Sequence, residues 1–176
     1  DFAYALSVDT TTPEQRMALD LSCWKSAYNG AEPVRADTLD RFTAAFAESG
    51  FHSQAFYPCY GLAEATLMVS GDTIGREPEI ARVSAESLTQ HRAHQAETEL
   101  KKTIRLVGCG RVRRQTRVAV VDPQSRRPCP ENVVGELWVS GPGVAGGYWN
   151  RPKTTEDTFG AVLADGRTGP FMRTGD

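Results

Sequence analysis

The chain has 176 residues, 40% of them hydrophobic, enough for one ordinary domain or two small packed units with a core. Its 20 Lys and Arg against 22 Asp and Glu leave a net charge of -2, so the basic footprint of a nucleic-acid binder is missing. No apolar run approaches the ~20 residues that span a bilayer, and DFAYALSVDT lacks the charged start and apolar centre of a secretory signal. A cytoplasmic protein without a membrane span is expected.

Taken in chain order, Pro13 to Asp20 reads as a short helix, with Thr11 or Thr12 as its cap, Pro13 in its first turn and Glu14 near its positive end. Trp24 to Tyr28 reads as a short buried strand ending at Asn29-Gly30. A second helix starts near Asp37, with Leu39, Phe42, Ala45 and Phe46 at helical spacing and Gly50 as its stop. Phe51 to Tyr60 is extended again, and strand, helix, strand is the pattern of a parallel α/β layer. After about Gly71 the texture becomes mostly β: Thr116 to Asp122 and Gly135 to Ser140 are strands, with turn-rich Pro123 to Asn132 between them. A boundary is therefore expected near residues 71 to 80. Ala81 to Arg105 is polar and weakly periodic, a surface insertion that is partly helical at most.

Several motifs have plain readings. Cys23, Cys59, Cys109 and Cys129 form no C-x-x-C pair, so reduced and mostly buried thiols are expected. His91 and His94 would share a helix face, but no third ligand is evident among solvated, charged neighbours, which makes them surface histidines. Gly141 to Gly146 matches the spacing G-x-G-x-x-G, yet GYWNRP continues it as turn and opens no helix for a pyrophosphate. No nucleophile elbow or Ser, His and Asp set is present. Glu64, in YPCYGLAEAT, is either an ordinary helix residue or, just past a glycine that lets backbone approach a ligand, a holder of a phosphate-bound hard cation.

The ordered set NGAEP, YPCYGLAEAT, GELWVSGPGVAGGYWNRP and RTGD resembles the adenylate-forming superfamily of acyl-CoA synthetases, peptide-synthetase adenylation domains and luciferases. Within it, the wording is most similar to fatty acyl-AMP ligases, and the likeness covers essentially the whole chain. The resemblance implies an α/β layer over residues 1–72 and a distorted β-barrel-like subdomain over 73–176, with an insertion at about 79–105, all part of the N-terminal domain of such an enzyme. It also implies ATP and Mg2+ as cofactors. Gly30, Ala31, Glu32 and Pro33 would form one wall of the adenine pocket. Tyr60 would stack near the base, Gly61, Leu62 and Ala63 would continue the nucleotide-binding run, Glu64 would hold the magnesium ion, and Asp176 would accept the ribose hydroxyls. Phe2, Tyr4 and Tyr57 are candidates to line an acyl tunnel.

Many adenylating relatives have a phosphate-binding threonine where this chain has Ala63; fatty acyl-AMP ligases commonly have alanine. The insertion is a feature such ligases resemble one another in carrying, and it goes with transfer of the acyl group to an acyl carrier protein or a phosphopantetheinylated synthase domain rather than to coenzyme A. The chain begins in apolar sequence and stops at Thr174-Gly175-Asp176, so it is expected to be an internal piece that lacks the upstream phosphate loop and a downstream catalytic lysine, and to be inactive alone. The other readings are a piece of a long-chain fatty acyl-CoA synthetase and a non-catalytic scaffold or carrier-docking piece.

Overall fold

The structure, a computed structural model, describes residues 1–95 and 102–176. In chain order it contains α1 (Phe2–Thr10), α2 (Pro13–Met17), β1 (Ala27–Asn29), α3 (Ala36–Phe46), β2 (Phe56–Leu62), β3 (Leu67–Gly71), β4 (Ile80–Ser84) and α4 (Ala85–Thr89). After these come β5 (Thr103–Val107), β6 (Arg111–Val112), β7 (Arg117–Asp122), β8 (Arg127–Pro128), β9 (Glu136–Ser140), α5 (Pro152–Phe159) and β10 (Met172–Arg173). The strands form sheets of order β1-β2-β3-β6 and β10-β9-β7-β8 and a β4-β5 pair. The chain divides into two compact units that interleave in sequence: 1–60, 70–82 and 105–111 in the first, 61–69, 83–104 and 112–176 in the second.

In the first unit β1 and β2 run parallel, with Ala27 opposite Phe56 and Asn29 opposite Pro58. Alternation puts Ala27 and Asn29 into the interior and leaves Tyr28 exposed on the opposite face, the period of two that a pleated strand imposes. The helix expected from the spacing of Leu39, Phe42 and Phe46 is α3. It sets those side chains against Ala27, Phe51, Ala55 and Phe56, while Tyr4, Val8, Leu21 and Val34 close the cluster. Phe42 is its centre, with ring centroids at 4.5 Å from Phe46, 4.9 Å from Phe51 and 5.1 Å from Tyr4. Gly50, at φ +81°, turns the chain after the helix. Thr12 caps α2 in a reciprocal arrangement with Gln15.

The second unit is built on antiparallel pairing, with Val118 opposite Val139, Val120 opposite Leu137 and Met172 opposite Val139. Its core is Val121, Trp138 and Phe171, with Ala119, Ala161 and Leu163 packed against them. The turn-rich excursion is a hairpin between β7 and β8, closed by the Asp122 carboxylate accepting the N–H groups of Gln124 and Ser125 at 2.8 and 3.1 Å. An α/β segment followed by a mostly β segment is the mixed fold the sequence implies.

The insertion is more ordered than its polarity suggests. Its flanks are β4, α4 and β5, Ser84 caps α4 through the Ser87 N–H, and Ala93 N–H and Val134 N–H donate to the carbonyls of Asn132 and His91 at 2.8 and 2.9 Å. Its residues 96–101 lie outside the described residues. His91 sits in a turn at φ +54° and His94 lies outside any helix, so they share no helical face. The thiols depart from expectation: all four are free, but Cys23 is exposed and the others are half-buried. Among the described residues no helix is long and apolar enough to cross a membrane.

Candidate functional site

Gly30 to Pro33 form the loop that leaves the C-terminal end of β1, on the way to α3. In parallel sheets the loops at that end of the strands are where ligands bind. The loop is held from beneath. Asn29 is buried and donates its Nδ2–H to the Asp1 carboxylate at 3.1 Å, and the same carboxylate accepts Arg35 N–H at 3.2 Å and Thr38 Oγ1–H at 2.9 Å. A Cβ on Gly30 would lie 2.7 Å from the Cys59 carbonyl oxygen and 2.9 Å from its Sγ, so only glycine fits beside β2 there. Ala31 then adopts φ +66°, and Ala31, Glu32 and Pro33 are all exposed. Phe2 N–H donates to Glu32 Oε1 at 2.5 Å, the foremost cause of a carboxyl pKa below its usual value. The result is an exposed main-chain edge on a fixed base. Tyr60, half-buried, stands near the end of β2 in the same unit.

In the second unit the helical alternative for Glu64 does not form: Leu62 ends β2, Ala63–Ala65 make a 3-10 turn, and Thr66 (φ +52°) and Leu67 (φ +78°) are left-handed. A three-residue turn, closed by Thr66 N–H donating to the Ala63 carbonyl at 3.1 Å, takes the place of the helix these residues favour. Gly61 is needed for a reason other than ligand approach: a Cβ there would sit 1.5 Å from the Leu67 carbonyl oxygen. Leu62 is half-buried, Ala63 is exposed, and Glu64 is half-buried between them and the strained turn. The Tyr148 hydroxyl donates to Glu64 Oε1 at 2.7 Å, which lowers the glutamate pKa and raises that of the tyrosine. Ala145 N–H donates to the Glu64 carbonyl at 2.7 Å, and Thr66 Oγ1–H donates to the Gly143 carbonyl. The glycine-rich Gly141 to Gly147 therefore buttresses the Glu64 turn. It runs on as turn, and α5 begins only at Pro152.

The terminal RTGD is pinned to β9. Arg173 Nη2 meets Glu136 Oε2 at 2.8 Å, Thr174 Oγ1–H donates to the Leu137 carbonyl at 2.8 Å, and Gly175 N–H reaches Glu136 Oε1 at 3.3 Å. Leu137 N–H in turn donates to the Asp176 carbonyl at 3.0 Å, and Asp176 is exposed. Sequence reasoning missed Asp1, Glu136 and Tyr148, each a long-range partner. The GEL of GELWVS and the GYW after the glycine run were the available signals.

Among the described residues no group of three or more His, Cys, Asp or Glu forms a metal cage. A lone carboxylate still suits a magnesium ion, which keeps most of its waters and is held by one or two carboxylates together with substrate phosphates.

The family model for AMP-binding enzymes matches residues 3–149, taking in Gly30 to Pro33, Tyr60 to Glu64 and Tyr148. The chain belongs to the AMP-binding enzyme family. Similar proteins include a medium-chain-fatty-acid acyl-carrier-protein ligase of Moorena producens, 46% identical over 100% of this chain and 30% of that protein. A second such ligase, from Teredinibacter turnerae, is 39% identical over 100% of the chain and 28% of its own length. Among solved structures, the fatty acid AMP ligase of Legionella pneumophila superposes with a TM-score of 0.93 at 42% identity, over 99% of this AMP-binding chain and 30% of that one. The chain thus spans about 30% of the length of the relatives it matches. Asp176 lies beyond the span that the AMP-binding model matches.

Proposed function

We propose that the protein carrying this chain is an ATP-dependent fatty acyl-AMP ligase of the cytoplasm, passing its acyl group to an acyl carrier protein or to a phosphopantetheinylated synthase domain. The observation that carries the reading is the likeness, at 42% identity and TM-score 0.93, to a Legionella pneumophila ligase described in complex with acyl adenylate and pyrophosphate. An oxygen of the fatty carboxylate attacks the α-phosphorus of ATP, and the bond to the bridging oxygen breaks to release pyrophosphate. No side chain has to become a covalent nucleophile.

Each site residue then has a task. The rigid exposed edge at Gly30, Ala31, Glu32 and Pro33 faces the adenine, and the Tyr60 ring stacks on it. Gly61, Leu62 and Ala63 carry the nucleotide-binding run on to Glu64. Asp176 accepts the ribose hydroxyls, as an acceptor-only carboxylate does well. Glu64, whose lowered pKa keeps it anionic, would hold Mg2+ with the ATP phosphates. When bound, that ion spreads negative charge at the phosphates during displacement. A 39% identical relative from Mycobacterium tuberculosis carries a fatty-acid CoA ligase name, so acyl-CoA is the rival product to be tested for.

The test is product analysis by mass spectrometry on the full-length protein, given ATP, Mg2+, a fatty acid series, coenzyme A and a phosphopantetheinylated carrier protein. Acyl adenylate and acyl carrier product without acyl-CoA is the expected result. Abundant acyl-CoA would assign the protein to the synthetases instead.

A further inference from the structure

Tyr148 lies outside every motif to which the nucleotide was assigned, yet its hydroxyl donates to the Glu64 carboxylate, 84 positions away in sequence. The tyrosine is itself held from the other side. Its N–H donates to Thr155 Oγ1 at 2.9 Å, Thr155 Oγ1–H donates back to its carbonyl at 3.3 Å, and its ring meets Phe159 edge to face at 5.3 Å. Gly147 makes this approach feasible, because a Cβ there would lie 2.2 Å from Thr155 Cγ2. Thr155 and Phe159 are both on α5, so one helix secures the backbone and the ring of the residue that reaches Glu64.

Packing alone does not account for a tyrosine here. The residue is 37% exposed, and a phenylalanine would meet Phe159 equally well. What the hydroxyl adds is a donor aimed at one carboxylate oxygen, and a carboxylate has lone pairs to spare for a second ligand. Glu64 meanwhile stands on a turn whose next residues, Thr66 and Leu67, are both left-handed without being glycine. Such strain persists only where surrounding contacts over-determine it, and it collects at functional sites.

We propose that Tyr148, braced by α5 through Thr155 and Phe159, is a positioning residue that fixes the Glu64 carboxylate for its divalent cation. This rests on the reading of Glu64 as the cation-holding residue. Partners that orient a metal-binding carboxylate typically govern metal affinity by about 10–100-fold.

The test is equilibrium titration of Mn2+ into the full-length protein complexed with a non-hydrolysable ATP analogue, followed by electron paramagnetic resonance. Tyr148→Phe is expected to weaken Mn2+ binding about tenfold or more, with affinity for the analogue in the absence of divalent ion unchanged. Thr155→Val, which leaves Tyr148 and Glu64 intact, is expected to give a smaller loss in the same direction. Hydrogen exchange of the 63–67 amides should quicken in both. Glu64→Gln serves as the reference. If it weakens Mn2+ binding and Tyr148→Phe does not, the positioning role alone is overturned. If Glu64→Gln binds Mn2+ as the wild type does, the assignment of Glu64 fails and takes the proposal with it. Equal weakening of metal-free nucleotide binding by Tyr148→Phe would reveal general loosening of the fold and also overturns the proposal.

Discussion

A methyl group at Gly61 would sit 1.5 Å from the Leu67 carbonyl oxygen, a contact that no rotamer change relieves because the oxygen is backbone and the backbone fixes where Cβ lies. Gly61→Ala is therefore expected to cost at least about 3 kcal/mol, at or beyond the upper end of ordinary overpacking, seen as a lowered urea midpoint of the purified chain. A midpoint equal to that of the wild type would show that the turn can open freely, and would return the glycine to the ligand. Tyr4 supplies a second test. Desolvation in the core pushes its pKa up to about 12, and its hydroxyl donates to the Tyr28 carbonyl at 2.7 Å. The unfolded side chain ionises near ~10, so the folded state retains the proton that the unfolded state releases. The stability Tyr4 contributes is complete below that pH and is lost as pH rises from there through about 12. Unfolding free energies measured across this window should fall more steeply for the wild type than for Tyr4→Phe. The same residues mark what the sequence makes legible. Glu64 stands out as a carboxylate among small and apolar neighbours, whereas Tyr148, Asp1 and Glu136 act through folding contacts 28 or more positions away, which spacing does not encode.

At the scale of elements, legibility followed burial. α3 is visible because Leu39, Phe42 and Phe46 go into the core, and the period of a helix is imprinted on residues that must all face one way. α1 and α5 contain no fully buried residue, so neither carries a strong apolar stripe; Pro152 at the start of α5 was its one punctuation mark. YPCYGLAEAT shows the converse case: its helix formers Ala63 to Ala65 sit in a 3-10 turn that ends in left-handed Thr66, and only Phe56 to Pro58 of β2 pair with β1. The weight on α3 makes a definite prediction. Phe42 is 3% exposed and meets the rings of Tyr4, Trp24, Phe46, Phe51 and Phe56. Phe42→Ala is expected to cost about 3–5 kcal/mol, a large part of the stability of a domain this size. Near-ultraviolet circular dichroism during denaturant unfolding checks it, because the same aromatic cluster provides the signal. An unfolding midpoint within error of the wild type would mean that the core lies elsewhere.

For the whole molecule the decisive quantity is the 30% of its relatives' length that the chain spans. It contains two cores of its own, one around Phe42 and one around Trp138, and the family match covers residues 3–149. The resemblance implies that phosphate binding and the charge of the transition state also draw on a loop upstream and a lysine downstream of this span. Preorganised charge of that kind is commonly the largest single contribution to catalysis. The 176-residue chain, supplied with ATP, Mg2+ and fatty acids, is accordingly expected to form no acyl adenylate above a blank, while a longer protein containing it turns over. The two are compared by mass spectrometry and pyrophosphate release at equal concentration. Adenylate from the chain alone would mean that Glu64, the NGAEP edge and Asp176 suffice for chemistry, and the roles that the resemblance gives to an upstream loop and a downstream lysine would have to be reassigned to residues present here.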